Sequence, residues 1–258
     1  MSKALLSVIT VCYNSDKTIE RTLYSILNQT YTNFEYIIID GGSSDSTIKI
    51  IKSFEDKFKE RGIVFSWISE KDTGIYNAFN KGIHLSNTQW VSFVGSDDCY
   101  TENALELYSS VIFKTEKKVD LIYSNIDIVD DQGKSIKEIN AIWTWFKFKR
   151  YMNIAHVGAF HNKNYFSKYG FFNESYKISG DYELLLRARN HLKTIKIEKL
   201  TVKMASGGVS NTQINLAFKE TFRAKNKTAR IGVFTCFLDY TIALFKYHTK
   251  KIIRAFIR

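Results

Sequence analysis

Short apolar runs alternate with helical periodicity through about the first hundred positions. Leu5–Val11, Phe34–Ile39, Ile63–Ile68 and Trp90–Val94 are rich in β-branched and aromatic residues, the pattern of strands buried on both faces. Between the first two, Ile19, Leu23, Ile26 and Leu27 recur at helical spacing, with Asn14 or Ser15 as N-cap. Ile48, Ile51, Phe54 and Phe58 share one face of a second helix over Ser46–Arg61, and a third is predicted over Gly74–Leu85. Strand–helix–strand alternation predicts βαβ units, hence an α/β fold with a mainly parallel central sheet flanked by helices. In such a sheet the ligand site lies off the carboxyl ends of the strands.

Beyond Asp98 the alternation loosens. A helix is predicted over Glu102–Thr115 and a strand over Asp120–Ser124, then a turn at Asp130-Asp131-Gln132-Gly133 leading into Lys134–Ile139. An aromatic and basic stretch follows from Trp143 to Tyr151, with Trp143 and Trp145 readable as a ligand platform or as packing. A helix begins near Asp181 and a strand runs over Thr194–Met204.

Charge divides the chain further. The net charge is +11, yet ten basic residues and only two acidic ones, Glu220 and Asp239, fall from Leu216 onward, leaving the rest at +3. We therefore divide the chain into a body, residues 1–215, and a basic amphipathic helical tail, residues 216–258. Composition is that of a folded protein, 45% apolar and 24% charged. No run of 18 apolar residues occurs to span a bilayer, and the first residues read as a strand rather than a leader peptide. Three scattered cysteines argue against a disulfide framework or a zinc site and point to a reducing, cytoplasmic compartment.

The strand ends carry the chemistry. Thr10-Val11-Cys12-Tyr13-Asn14 closes the first, Asp40-Gly41-Gly42-Ser43-Ser44-Asp45 the second, Ser69-Glu70-Lys71-Asp72-Thr73-Gly74 the third and Gly95-Ser96-Asp97-Asp98 the fourth. Each has a bland reading as turn chemistry or a helix cap. Gathered at one sheet edge, the acids repel one another unless a cation binds. Asp97 and Asp98 are hard oxygen ligands for Mg²⁺ or Mn²⁺ bridging a nucleotide diphosphate, Asp40 can accept from a base N–H, and Tyr13 offers a stacking face. Gly133-Lys134-Ser135 is no phosphate loop, because Ile128 stands where that loop needs glycine.

These segments resemble family 2 glycosyltransferases of the GT-A fold. The likeness rests on Ser7–Asn14, Ser25–Tyr31, Phe34–Asp45, Ser96-Asp97-Asp98 and Ile178–Arg187, which occur in the family's order over about residues 4–205. Asp72-Thr73-Gly74-Ile75-Tyr76-Asn77-Ala78-Phe79-Asn80-Lys81-Gly82 is similar to the subgroup found in bacterial surface-polysaccharide clusters. The resemblance implies a nucleotide-sugar donor, most simply a UDP-sugar, transferred with inversion to a glycan or polyprenyl-lipid-linked acceptor. It places Thr10, Tyr13, Asp40, Asp72 and Asp97 at the nucleotide, Asp98 with Asp97 at the metal, and Asp181 as catalytic base. Many relatives carry Asp-Asp-Gly-Ser where this chain has Asp40-Gly41-Gly42-Ser43, so one acidic group is missing. His156 is a candidate contact to phosphate or acceptor, or a structural histidine; Arg187 is a phosphate partner or half of a salt bridge.

Two other functions fit the sequence less well. A sugar-phosphate nucleotidyltransferase needs a basic glycine-rich loop, which Tyr13-Asn14-Ser15-Asp16 does not resemble. A nucleic-acid binder needs basic and aromatic residues on one face, whereas the body presents acidic loops, so no nucleic-acid partner is expected. In the tail, Ile231, Phe234, Phe237, Leu238, Ile242 and Phe245 can share a helical face, with Lys246, Lys250, Lys251, Arg254 and Arg258 beyond. We expect an in-plane anchor on the anionic cytoplasmic face of the inner membrane, or packing against the body or a second copy in a homo-oligomer.

Overall fold

The structure, a computed structural model, describes residues 4–115, 118–140, 142–208 and 212–256. Its strands are β1 (Leu6–Cys12), β2 (Phe34–Asp40), β3 (Val64–Ser69), β4 (Trp90–Gly95), β5 (Cys99–Tyr100), β6 (Leu121–Val129), β7 (Ser135–Ile139), β8 (Ala159–Asn162) and β9 (Thr194–Ala205). They form one sheet in the order β3-β2-β1-β4-β8-β6-β9-β5, with β7 paired to β6. The half from β3 to β4 is parallel. Beyond it β8 runs antiparallel to both β4 and β6, and β5 antiparallel to β9.

Alternate residues of β1 build both faces. Leu6 and Val8 enter a core shared with α1 (Ile19–Leu27), α2 (Thr47–Lys52), α3 (Glu55–Glu60) and α5 (Ala104–Lys114). Ile9 and Val11 enter a second core with α4 (Ile75–Leu85) and α8 (Gly180–Leu186). Burial on both faces is why the β1, β2 and β4 sequences are continuously apolar. β3 departs from that expectation. It is the sheet edge, and most of its residues are partly or fully exposed.

The predicted helix over Ser46–Arg61 is two helices. The Ser53 hydroxyl donates to the Ile50 carbonyl (2.7 Å), and Phe54 turns fully inward at the break. In the aromatic stretch, Trp145–Phe148 forms a short helix, α6; Trp143 leans on Phe148, ring centroids 4.7 Å apart, so it rests on the core. A seventh helix, α7 (Lys163–Tyr169), follows β8.

The boundary expected at residue 215 falls inside α9 (Ile214–Arg223), which is bonded into the body. A π-helical turn, Ala224–Thr228, leads to α10 (Val233–Phe256). Asp239 pins α10: its carboxylate pairs with Arg150 and with the fully buried Lys225. Ile231 lies before α10 and packs on the second core, so it leaves the apolar face assigned to it. Phe234, Phe237, Leu238, Ile242 and Phe245 remain exposed. Arg258 and the side chains from Lys250 onward, including Lys251 and Arg254, lie outside the described residues. No described helix is long and apolar enough to cross a membrane.

Candidate active site

The parallel register sets Cys12 beside Asp40 and Asp40 beside Ser69, so the loops after β1, β2 and β3 leave the sheet together. Asn14, at φ 48°, joins the first two: its N–H donates to Ser43 Oγ (2.8 Å) and its Oδ1 accepts from the Ser44 N–H (2.9 Å). Hydroxyls of Ser15 and Ser96, 2.9 Å apart, tie the first loop to the acidic pair after β4.

Asp40 is wholly buried. Oδ2 accepts from the Gly42 and Ser43 N–H groups (both 2.9 Å) and from Ser69 Oγ (2.7 Å), and Oδ1 accepts from Ser43 Oγ (2.5 Å). Burial pushes its pKa up, but these donors outweigh burial and hold it below the usual carboxylate value. With its oxygens so engaged, Asp40 shapes the loop, and the free acceptor expected there is not available.

Asp72 supplies a carboxylate nearby. Oδ1 accepts from the Gly74 N–H (2.9 Å), and Oδ2 lies 2.6 Å from where a Cβ on residue 41 would stand, beside the ring of Tyr13. That ring is 64% exposed, free to stack on a base. Glycine at 41 is therefore what admits Asp72. Gly41→Asp should drive Asp72 outward and break its bond to Gly74, read as faster hydrogen exchange at the Gly74 amide, while melting stays near wild type. Unchanged exchange would show that the space at residue 41 does not matter.

Asp97 and Asp98 converge. Asp97 Oδ1 and Asp98 Oδ2 lie 2.8 and 2.9 Å from the position a Cβ on Gly95 would take. Thr22 Oγ1 and the Arg21 guanidinium, both on α1, donate to the backbone carbonyls of Asp98 and Asp97 (2.8 and 2.9 Å). Asp98 Oδ1 accepts from the Ala205 N–H at the end of β9 (2.9 Å), so the curled half of the sheet reaches back to the pair. Burial and then the Asp97 charge push Asp98 up to about 7; burial also raises Asp97.

Asp97, Asp98, His156 and Asp181 line one cleft of about 860 Å³. A second, of about 820 Å³, lies between the β7 hairpin, the stretch after Ile142 and α9, and it shares His156, Ile178, Asp181 and Met204 with the first. Asp181 thus stands where the two meet. Its Oδ1 accepts from the Tyr182 N–H (2.8 Å) and faces the Tyr76 hydroxyl at 3.3 Å; burial pushes its pKa up to about 6. Burial pushes His156 down to about 3, so it is neutral, stacked on Phe93 with Nε2 unpartnered.

Two predicted contacts do not reach the site. Thr10 sits within β1, fully buried, and accepts from the Tyr36 hydroxyl (3.1 Å), so it cannot touch a nucleotide. Arg187 takes its salt-bridge reading: it forms a two-pronged pair with Glu183 (3.1 and 2.6 Å) and donates to the Tyr169 and Phe171 carbonyls, so four of its five N–H donors are used away from the clefts. Lys177 was missed. Its ammonium donates to the Thr73 carbonyl (2.6 Å) in the first cleft, and its only sequence signal was its place just before Ile178-Ser179-Gly180-Asp181.

Comparison with known proteins gives the family and the fold. The family model "Glycosyl transferase family 2" matches residues 7–176. A PGL/p-HBAD biosynthesis glycosyltransferase of Mycobacterium tuberculosis is 28% identical over 244 residues, covering 90% of this chain and 88% of its own. An uncharacterized glycosyltransferase of Rickettsia conorii is 27% identical over 70% of this chain and 30% of its own. Among solved structures, S. aureus TarS 1–349 in complex with UDP-GlcNAc superposes with TM-score 0.66 at 17% identity, covering 90% of this chain and 69% of that one. The mannosyltransferase PcManGT of Pyrobaculum calidifontis, with GDP-Man and Mn²⁺, also gives 0.66, at 13% identity over 95% of this chain and 75% of that one. The chain belongs to glycosyl transferase family 2: it is a glycosyltransferase built on the GT-A fold.

Proposed function

We propose that this glycosyltransferase moves a sugar from a UDP-sugar to a hydroxyl of a glycan or lipid-linked acceptor, by one inverting displacement, in the synthesis of a bacterial surface polysaccharide. The observation that carries the reading is the position of Asp181, between the cleft holding the paired acids and a second cleft with room for an acceptor. The UDP-GlcNAc complex of TarS supports the nucleotide.

The donor set fits Mn²⁺ or Mg²⁺, because two hard carboxylates converge and their burial leaves them costly to ionise without a cation. Among the described residues no group of three or more His, Cys, Asp or Glu could hold a metal alone, so the diphosphate and water would complete the shell. When bound, the cation supplies the charge against which the nucleotide diphosphate departs. Tyr13 stacks on the base, Asp72 accepts from base or ribose, and Lys177 faces the phosphates. Ionised Asp181 takes the proton of the acceptor hydroxyl as that oxygen bonds to the anomeric carbon; the bond to the diphosphate breaks, and its electron pair leaves with the nucleotide. His156 lines both clefts, and its unpartnered Nε2 is shut away from solvent, so it would reach the phosphate or the acceptor only if the ring turned. Thermal stabilisation with Mn²⁺ and UDP-, GDP- or dTDP-sugars tests the donor. UDP-sugars should raise the melting temperature most; a preference for GDP-sugars reassigns the nucleotide, and no response from any overturns the reading.

The outer face of α10 supports a lipid-side setting. Phe234, 81% exposed, and Phe245, 74% exposed, stand on one side of a helix pinned to the body by Asp239 on the other, with the tail's basic residues beyond. Each basic group near an anionic leaflet adds about 1 kcal/mol. A cut after Asn215 would remove Lys225 and Glu220 from the body, so the test is Phe234→Ser with Phe245→Ser. The double variant should sediment with anionic vesicles at least about fivefold less than wild type, and wild-type binding should weaken with salt. Equal, salt-insensitive partition of both proteins would favour packing against a second copy.

A further inference from the structure

We infer that Glu220 is a positioning residue for the transfer reaction, holding the loop that carries Lys177 and Asp181. The inference rests on the reading of Asp181 as the base. α8 begins at Gly180, and its N-cap residue Ser179 makes no capping bond with its own side chain. Glu220, on α9, does that work from outside: Oε1 accepts from the Lys177 N–H (2.7 Å), and Oε2 from the Ile178 and Ser179 N–H groups (2.8 and 2.9 Å). Three consecutive amides on one carboxylate are charge-assisted bonds, stronger and shorter than neutral ones. The carboxylate is buried, so losing a bond to it is not made good by water.

α9 grips the same residue twice more, because the Ser179 hydroxyl is bonded to the Ala217 carbonyl and to the Thr221 hydroxyl, each 3.3 Å away. From the opposite side, Tyr76 on α4 donates to the Ile178 carbonyl (2.5 Å), and its ring covers Gly180 so closely that a Cβ there would lie 2.6 Å from it. The peptide before Asp181 is thus clamped on its N–H side by Glu220 and on its carbonyl side by Tyr76. Asp181 follows after one glycine, and Lys177 leaves the same clamp toward Thr73. A base displaced by about 1 Å loses much of its effect, so the clamp acts on turnover more than on donor affinity.

Glu220→Gln in the full-length chain tests this. Glutamine keeps the shape but presents a single acceptor oxygen, too little for three amides. We expect kcat to fall about tenfold or more while the donor KM stays within about threefold, and amides 177–179 to exchange hydrogen faster. Tyr76, Lys177, neutral His156, Asp97 and Asp98 share the cleft with Asp181, and Glu220 is the acid whose charge raises it, so removing that charge should also move the acid limb of kcat to lower pH. Glu220→Asp keeps the charge but not the reach, and should restore the limb without restoring kcat. Wild-type kcat and limb in Glu220→Gln would overturn the inference, as would a loss of activity matched by the loss of folded protein. Asp181→Asn run in parallel separates the two readings: if it is inactive while Glu220→Gln is normal, only the role of Glu220 fails, and if it stays active, the base assignment is what fails.

Discussion

Asp181→Asn should retain donor binding and lose transfer by a factor of roughly 10² or more, the scale of removing a positioned general base. The amide preserves the bond from the Tyr182 N–H and the place beside Tyr76, yet it cannot take a proton. The same variant should be more stable. Burial holds the folded-state pKa of Asp181 at about 6, above its ordinary 3.8, so the folded protein binds this proton more tightly than the unfolded chain. Stability is therefore lost as pH rises between those values, and the loss is complete above about 6. At neutral pH asparagine removes that cost, on the order of 2 kcal/mol once the part of the carboxylate still open to solvent is discounted. Below about pH 4 the two proteins should melt alike. Wild-type turnover should fall as pH drops through about 6 and the base is protonated. An active variant would move the base elsewhere, and one no more stable at neutral pH would show that burial does not raise the Asp181 carboxyl.

Asp98→Asn should weaken Mn²⁺-dependent UDP binding by at least about tenfold, with metal-free binding nearly unchanged. Asparagine can still accept from the Ala205 N–H, so the join between β9 and the acidic loop survives and the loss reports on charge. Two phosphates beside Asp97 repel without a cation, and one carboxylate holds that cation less well than two. Calorimetric titration of UDP into both proteins, with and without Mn²⁺, measures the effect. Equal affinities would remove the metal from this site.

How far the sequence foretold all this follows from what each element shows its neighbours. β1, β2 and β4 are sandwiched between helices, so every position must be apolar and the run announces itself. β5 and β8, two and four residues long, are too short to carry a period and stayed hidden, while β7, exposed almost throughout, was legible only through the turn at Asp130–Gly133. Asp97 and Asp98 were legible because topology gathers the ends of the parallel strands around one cleft, whereas Asp181 entered only through the resemblance of Ile178–Arg187. Thr10 was misplaced for a related reason, and Arg187 took its salt-bridge reading: a motif marks a neighbourhood and does not say which of its side chains face the ligand. Glu220 left no trace, since its three partners are backbone amides, and any residue sequence offers those.

The space beside Tyr13 can be filled from either of two loops. Here the loop after β3 fills it with Asp72, through the opening that Gly41 leaves. An acid at position 41 would compete for the same place, so residues 41 and 72 constrain one another although they are far apart in the chain, and substitutions at the two should be non-additive.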